Sequence, residues 1–209
     1  MIENRKMNKS ISKKTEVLEG SDAVFNIVGL KNFTMESIAS HMGIAKGTLY
    51  NYFDSKDALL AELCSKVLYH LLARWKSKTY ENVNELENLK RMILVCYKFY
   101  EEYPEPMNLI ITMERLEYDS SNENYNKTNL ELLNFVTHRL RIGQKNGMIR
   151  KDIDPEIANL VLRASCIGII NFLMAKKDRM NNELKLDKVE LIETYANIFL
   201  SGIAAKPNN

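Results

Sequence analysis

Catalytic signatures are absent from this 209-residue sequence. It contains no GxSxG elbow, no Walker loop, no GxGxxG and no HExxH, so acyl transfer, phosphoryl transfer and zinc-dependent hydrolysis lack the local geometry they require. The three histidines, His41, His70 and His138, are scattered, and no cysteine is near them in sequence. No enzyme activity, metal site or cofactor is expected. Three cysteines, Cys64, Cys96 and Cys166, are odd in number and form no CxxC, which fits reduced thiols in the cytosol. The chain also lacks a strong charge of either sign: 29 basic against 27 acidic residues leave +2, so a nucleic-acid partner would have to be met by local charge. Nothing marks secretion, because the charged start is not followed by an apolar h-region. The greasiest run, CIGIINFLMA, is interrupted by Asn171 and is expected to be too short to span a bilayer. No internal repeat or low-complexity segment appears.

What the chain does have is a hydrophobic share of 45% and length enough for one or two domains with a sizeable core. Arg5, Lys6, Lys9, Lys13 and Lys14 face a single Glu3 in the opening residues. Residues 1–10 are expected to be a flexible basic arm, read either as a source of phosphate or minor-groove contacts or as a solvated tail. A helix is expected from Ile11 to about Val28, with Ile11, Leu18 and Phe25 seven apart and Val17, Val24 and Val28 flanking them.

Residues 34 to 56, TMESIASHMGIAKGTLYNYFDSK, read as a helix-turn-helix. Met35, Ile38, Ala39 and Met42 fall at i, i+3, i+4 and i+7, with Thr34 placed to cap the free amides. Gly43 tolerates the left-handed backbone of a sharp turn, and Ile44 can plug the corner behind it. The next helix starts near Ala45. At 100° per residue Ala45, Leu49 and Phe53 share an inner side, while Gly47, Thr48, Tyr50 and Asn51 cover the outer one and Lys46 stands at the exposed start. Lys46, Tyr50 and Tyr52 suit phosphates, and Thr48 and Asn51 suit base edges. Gly47 lets the backbone come close.

The run IASHMGIAKGTLYNYFDSKDALL resembles the signature of the TetR family of bacterial transcriptional regulators. GTLY, the pair Tyr52 and Phe53, and SKDALL stand where that family has them, and the likeness covers roughly residues 11 to 65. It implies an all-α chain: a three-helix helix-turn-helix DNA-binding domain (11–54), a connector helix (55–78), and a helical ligand-binding and dimerisation domain (79–209). It also implies DNA contacts at Lys46, Gly47, Thr48, Tyr50 and Tyr52, with Lys56 and the connector's first amides on a phosphate, as an exposed helix start allows. Asn51 rests on angular geometry alone, and Thr34 is grouped with these as the start of the first helix. Two departures stand out. Gly20 and Ser21 replace a small alanine pair, and Ala45 replaces a serine or threonine whose hydroxyl would cap the recognition helix.

Behind this head, Leu86, Leu89, Ile93, Cys96, Tyr97 and Tyr100 form one helical stripe closed by Pro104 and Pro106. A helix from about Met107 to Tyr118, one from Lys127 to Asn146 on Leu130, Leu133, Val136 and Leu140, and one from Pro155 to Lys177 follow. The last of these is apolar on nearly all sides and must be covered twice. The family resemblance implies that it pairs with the final helix in a dimer, assigning Leu160, Ala164, Ile167, Gly168, Ile192, Ala196 and Phe199 to the interface. It equally implies a small apolar or aromatic effector, for which Tyr97, Tyr100, Met107, Ile111, Met113, Tyr118, Phe135 and Phe172 are the candidate wall. The expected function is a dimeric repressor on a palindromic double-stranded DNA operator. The alternatives are a regulator controlled by a protein partner, and a helical carrier or adaptor with little DNA binding.

Overall fold

Helices make up the regular structure in the computed structural model, which describes residues 2–115, 122–176 and 187–206, apart from one isolated antiparallel bridge between Ile149 and Ala204. Among the described residues these are α1 (Ile2–Asn32), α2 (Met35–Met42), α3 (Lys46–Tyr50), α4 (Lys56–Lys78), α5 (Glu85–Glu102), α6 (Pro104–Arg115), α7 (Glu123–Lys145), α8 (Pro155–Ala175) and α9 (Lys188–Ile203). They divide into two compact units. One comprises Met1–Val67 with Glu105–Lys127, the other Leu68–Pro104 with Thr128–Asn209.

In the first unit α1 begins at Ile2, so the backbone of residues 2–10 is helical where a flexible arm is expected. No glycine or proline precedes Gly20 to stop the helix growing upstream. Its buried stripe is Val17, Ser21, Val24 and Phe25, with Leu18 only half-buried. Phe25 meets Phe33 edge to face at 5.4 Å, joining the two ends of the turn into α2. The Gly20–Ser21 departure has a packing reason. A Cβ on Gly20 would stand 2.4 Å from Met42 Cε, so the missing side chain is where α2 lays its methionine, and Ser21 Oγ donates to Val17 O at 2.8 Å inside the core. At Gly29 (φ 69°, ψ 169°) the helical course breaks, and the Leu30 N–H just after the break donates to Glu105 Oε2 at 3.0 Å. Glu105 opens α6, whose Met107, Leu109, Ile110, Ile111 and Met113 are all buried.

In the second unit α5 packs on α8 and α9. Asn84 caps α5 through Leu86 N–H, and the wholly buried Asn88 bonds both the N–H and the C=O of Tyr80, which pins the link from α4. Trp75 Nε1 donates to Met92 O at 3.1 Å. Glu85 and Arg139 form a buried ion pair at 3.1 Å between α5 and α7. On α7 Leu132, Val136, Thr137 and Leu140 are buried; Leu130, expected in a stripe with Leu133, Val136 and Leu140, is exposed, because at 100° per residue it lies about 120° around the helix from Val136. The chain end is tied down by Arg150 N–H to Ile203 O and Ala205 N–H to Met148 O, at 3.0 and 2.9 Å.

The 21 residues of α8 extend beyond the run CIGIINFLMA and are long and apolar enough to cross a membrane by length and composition alone. Two of its polar side chains are nevertheless engaged with protein. Asn159 donates to Leu133 O and Thr137 Oγ1, and Arg163 to Asn129 Oδ1, all on α7.

Candidate nucleic-acid interface

α2 is fixed at both ends by its own sequence. Thr34 Oγ1 accepts from Ser37 N–H at 3.0 Å while Ser37 Oγ accepts from Thr34 N–H at 2.9 Å, a reciprocal capping box. At the other end Gly43 is left-handed (φ 64°), and the N–H groups of Gly43 and Ile44 return to Ser40 O and Ala39 O. Between these ends Met35, Ile38 and Ala39 are buried. The turn therefore delivers α3 at a set angle.

α3 is held by Leu49, which is fully buried, and by Phe53 just beyond it, whose ring carries Lys14 Nζ at 5.3 Å from the centroid. The inner side is narrower than expected. Ala45 is exposed, because it is the extended N-cap (φ −68°, ψ 142°) rather than part of the helix, and it makes no side-chain cap. Outward lie Lys46, Gly47, Tyr50 and Asn51, with Thr48 and Tyr52 half-buried. No atom lies within 4 Å of where a Cβ on Gly47 would point, so that backbone is open to approach. At the start of α4, Ser55 Oγ accepts from Ala58 N–H and leaves the half-buried Lys56 as the first helical residue. Thr34 is exposed, with its oxygen used in the cap.

One residue of this surface escapes sequence reading. Glu36, in the first turn of α2, is ion-paired with Lys46, whose Nζ also lies 5.8 Å from the Tyr50 ring centroid. The hydrogen bond between the two groups lowers the Glu36 carboxyl below its usual range and raises the Lys46 ammonium. No periodicity links residues ten apart across a turn.

The remaining candidates divide between the units. Tyr97 and Tyr100 are buried neighbours on α5, with ring centroids 6.1 Å apart, and Tyr97 O–H donates to Glu101 Oε1 at 2.6 Å. Met107, Ile111 and Met113 are buried on α6; Phe135 is half-buried on α7 beneath Arg139; Phe172 is exposed on α8; Tyr118 lies outside the described residues. Of the dimer candidates, Leu160, Ala164 and Gly168 are exposed, and Ile167 and Phe199 half-buried. Ile192 and Ala196 are buried inside their own unit, where α9 packs on α5 and α8, while Val189 and Ile198 are the exposed large apolar residues of α9. Ile157 and Val161 join Leu160 on the open side of α8. Behind them Cys166 Sγ approaches Tyr195 Oη at 3.7 Å, and burial pushes its thiol up to about 12.

A capped helix, a left-handed glycine turn and a second short helix with an open polar face define a helix-turn-helix head on a helical body. Residues 17–63 match the family model described as bacterial regulatory proteins, tetR family. The chain is 25% identical over 203 residues to the HTH-type transcriptional repressor KstR2 of Rhodococcus jostii, covering 94% of this chain and 93% of that one. It is also 25% identical over 204 residues to the fatty acid metabolism regulator protein of Bacillus subtilis, covering 96% and 100%. The fold is shared with a crystal structure of FadR from Bacillus subtilis in complex with stearoyl-CoA, at a TM-score of 0.64 and 21% identity, covering 90% and 98%. Residues 17–63 thus carry the DNA-binding domain of the TetR family, and the chain as a whole is similar to regulators of that kind.

Proposed function

We propose that this protein is a dimeric transcriptional repressor that binds a palindromic operator through α3 and is released by an apolar, lipid-derived effector. The observation that carries the DNA reading is the α2–α3 turn, which is locked from both sides and leaves Lys46, Gly47, Tyr50 and Asn51 open on the surface. Tyr50 and Lys46 contact phosphates and position the head; Asn51 and Thr48 read bases. Thr34, Tyr52 and Lys56 extend the phosphate contacts at the starts of α2 and α4. Dimerisation is supported by the open side of α8, where Ile157, Leu160, Val161 and Phe172 are exposed. A dimer that reads a palindrome would present its two α3 helices about 34–36 Å apart, one turn of DNA, or a multiple of it.

The effector class is supported by the likeness to a fatty acid metabolism regulator along the whole chain, together with the shared fold of a relative bound to stearoyl-CoA. A fatty acyl thioester is the first ligand to test. Its coupling to DNA affinity would be about 1–3 kcal/mol, roughly 5- to 150-fold.

The test uses the purified chain and a palindromic fragment from its own promoter. Salt-dependent, competitor-resistant binding is expected, and stearoyl-CoA should weaken it where free coenzyme A does not. Lys46→Ala with Tyr50→Ala should reduce the log–log salt slope by about 0.9 per lost phosphate contact. An unchanged slope would remove the assignment of these two residues.

A further inference from the structure

Lys46 is the cation at the start of the recognition helix, yet it is not free. Glu36, ten residues earlier on α2, accepts a hydrogen bond from its ammonium, and the same ammonium rests over the Tyr50 ring. Glu36 and Lys46 are both well exposed, with side chains 65% and 46% accessible, so the pair sits on the outer surface rather than in the core. The position of the carboxylate is not left to a loop. It is set by the capping box at Thr34 and the glycine turn at Gly43, which together fix α2 against α3. Across residues 34–56 the charges are Lys46 and Lys56 against Glu36 and Asp54, so the stretch is neutral and Glu36 cancels its most exposed cation.

That arrangement has a consequence for selectivity. Non-specific DNA binding is almost wholly phosphate neutralisation by cations, and a lysine already paired releases no extra counterion when it nears a phosphate. A duplex in the wrong register meets a neutral pair with an exposed carboxylate that repels its backbone. A duplex in the correct register brings a phosphate close enough to Tyr50 and Lys46 to replace the carboxylate. Given α3 as the recognition helix, we propose that Glu36 is a positioning residue for DNA recognition, holding Lys46 against Tyr50 and withholding its charge from non-operator DNA.

The experiment uses the full chain and its Glu36→Gln, Lys46→Gln and double variants. Binding to an operator duplex selected from a random pool, and to a random duplex, is followed by fluorescence anisotropy across a salt series, with a thermal melt of each variant. Glu36→Gln should tighten random-duplex binding about five- to tenfold near 0.1 M salt and steepen its salt slope by about 0.9, the yield of one added phosphate contact. Operator affinity should change less than about twofold, so the ratio of specific to random binding falls. In the Lys46→Gln background the same change should have no effect. The proposal is overturned if Glu36→Gln leaves the random-duplex slope unchanged, if its effect persists without Lys46, or if both affinities fall together with the melting temperature. Salt-dependent operator binding by the unaltered chain with no effect of Glu36→Gln removes only the role of Glu36. Failure of the unaltered chain to bind either duplex removes the reading of α3 as well.

Discussion

Glu85 and Arg139 illustrate what one buried contact contributes. Both side chains are nearly sealed from solvent and meet at 3.1 Å, so each neutralises a charge that could not otherwise be buried. Glu85→Ala should lower stability by about 3–5 kcal/mol in urea denaturation, whereas Glu85→Ala with Arg139→Met should recover much of that loss. Cys166 gives a pH-dependent counterpart. Burial raises its thiol to about 12, so the folded state favours the protonated form. Its contribution is complete below the unfolded thiol value of about 8.5 and is lost as pH rises toward 12. Denaturation midpoints should therefore decline above about pH 8.5, less so in Cys166→Ala, and alkylation of the native protein at pH 8 should be slow. Residue identities alone reveal neither effect. Glu85 and Arg139 are 54 positions apart in a sequence full of charges, and the separation gives no sign that these two are the pair that is sealed.

At the scale of elements, helix ends were far more legible than helix faces. The cap at Thr34, the turn at Gly43 and the start at Pro155 all act through atoms within a few residues, so the sequence specifies them directly. Faces depend on which side a neighbour covers. Leu130 gives way to Leu132 for that reason. Ala45 makes a clean test. Its backbone is already extended at an N-cap that offers no side-chain acceptor, so Ala45→Ser should stabilise the chain by about 0.5–2 kcal/mol in thermal denaturation. Gly29→Ala tests the break in α1. Its φ of 69° with ψ of 169° is nearly restricted to glycine, and a Cβ would stand 3.0 Å from Glu105 Oε2. A loss of about 1–3 kcal/mol is expected, with faster amide exchange at Leu30 as its bond to Glu105 weakens.

For the whole molecule the telling feature is α8, apolar all round yet open along Ile157, Leu160 and Val161. A helix of this kind needs a second cover. On the dimer proposed above, Leu160→Glu should give a monomer in analytical ultracentrifugation and weaken operator binding more than tenfold, because two linked heads bind with a high effective local concentration. An unchanged sedimentation coefficient would move the dimer axis away from α8.

By itself the sequence determined the all-helical class, the helix-turn-helix at 34–56 and the outward placement of Lys46, Gly47, Tyr50 and Asn51, because caps, turns and periodicity are local and recur in any context. Only the tertiary structure decided that Gly20 makes room for Met42, that Glu105 closes the break at Gly29, and that Glu36 holds Lys46. Each of these joins residues on different helices. Such contacts depend on the angle at which two elements meet, and no spacing along one chain encodes that angle.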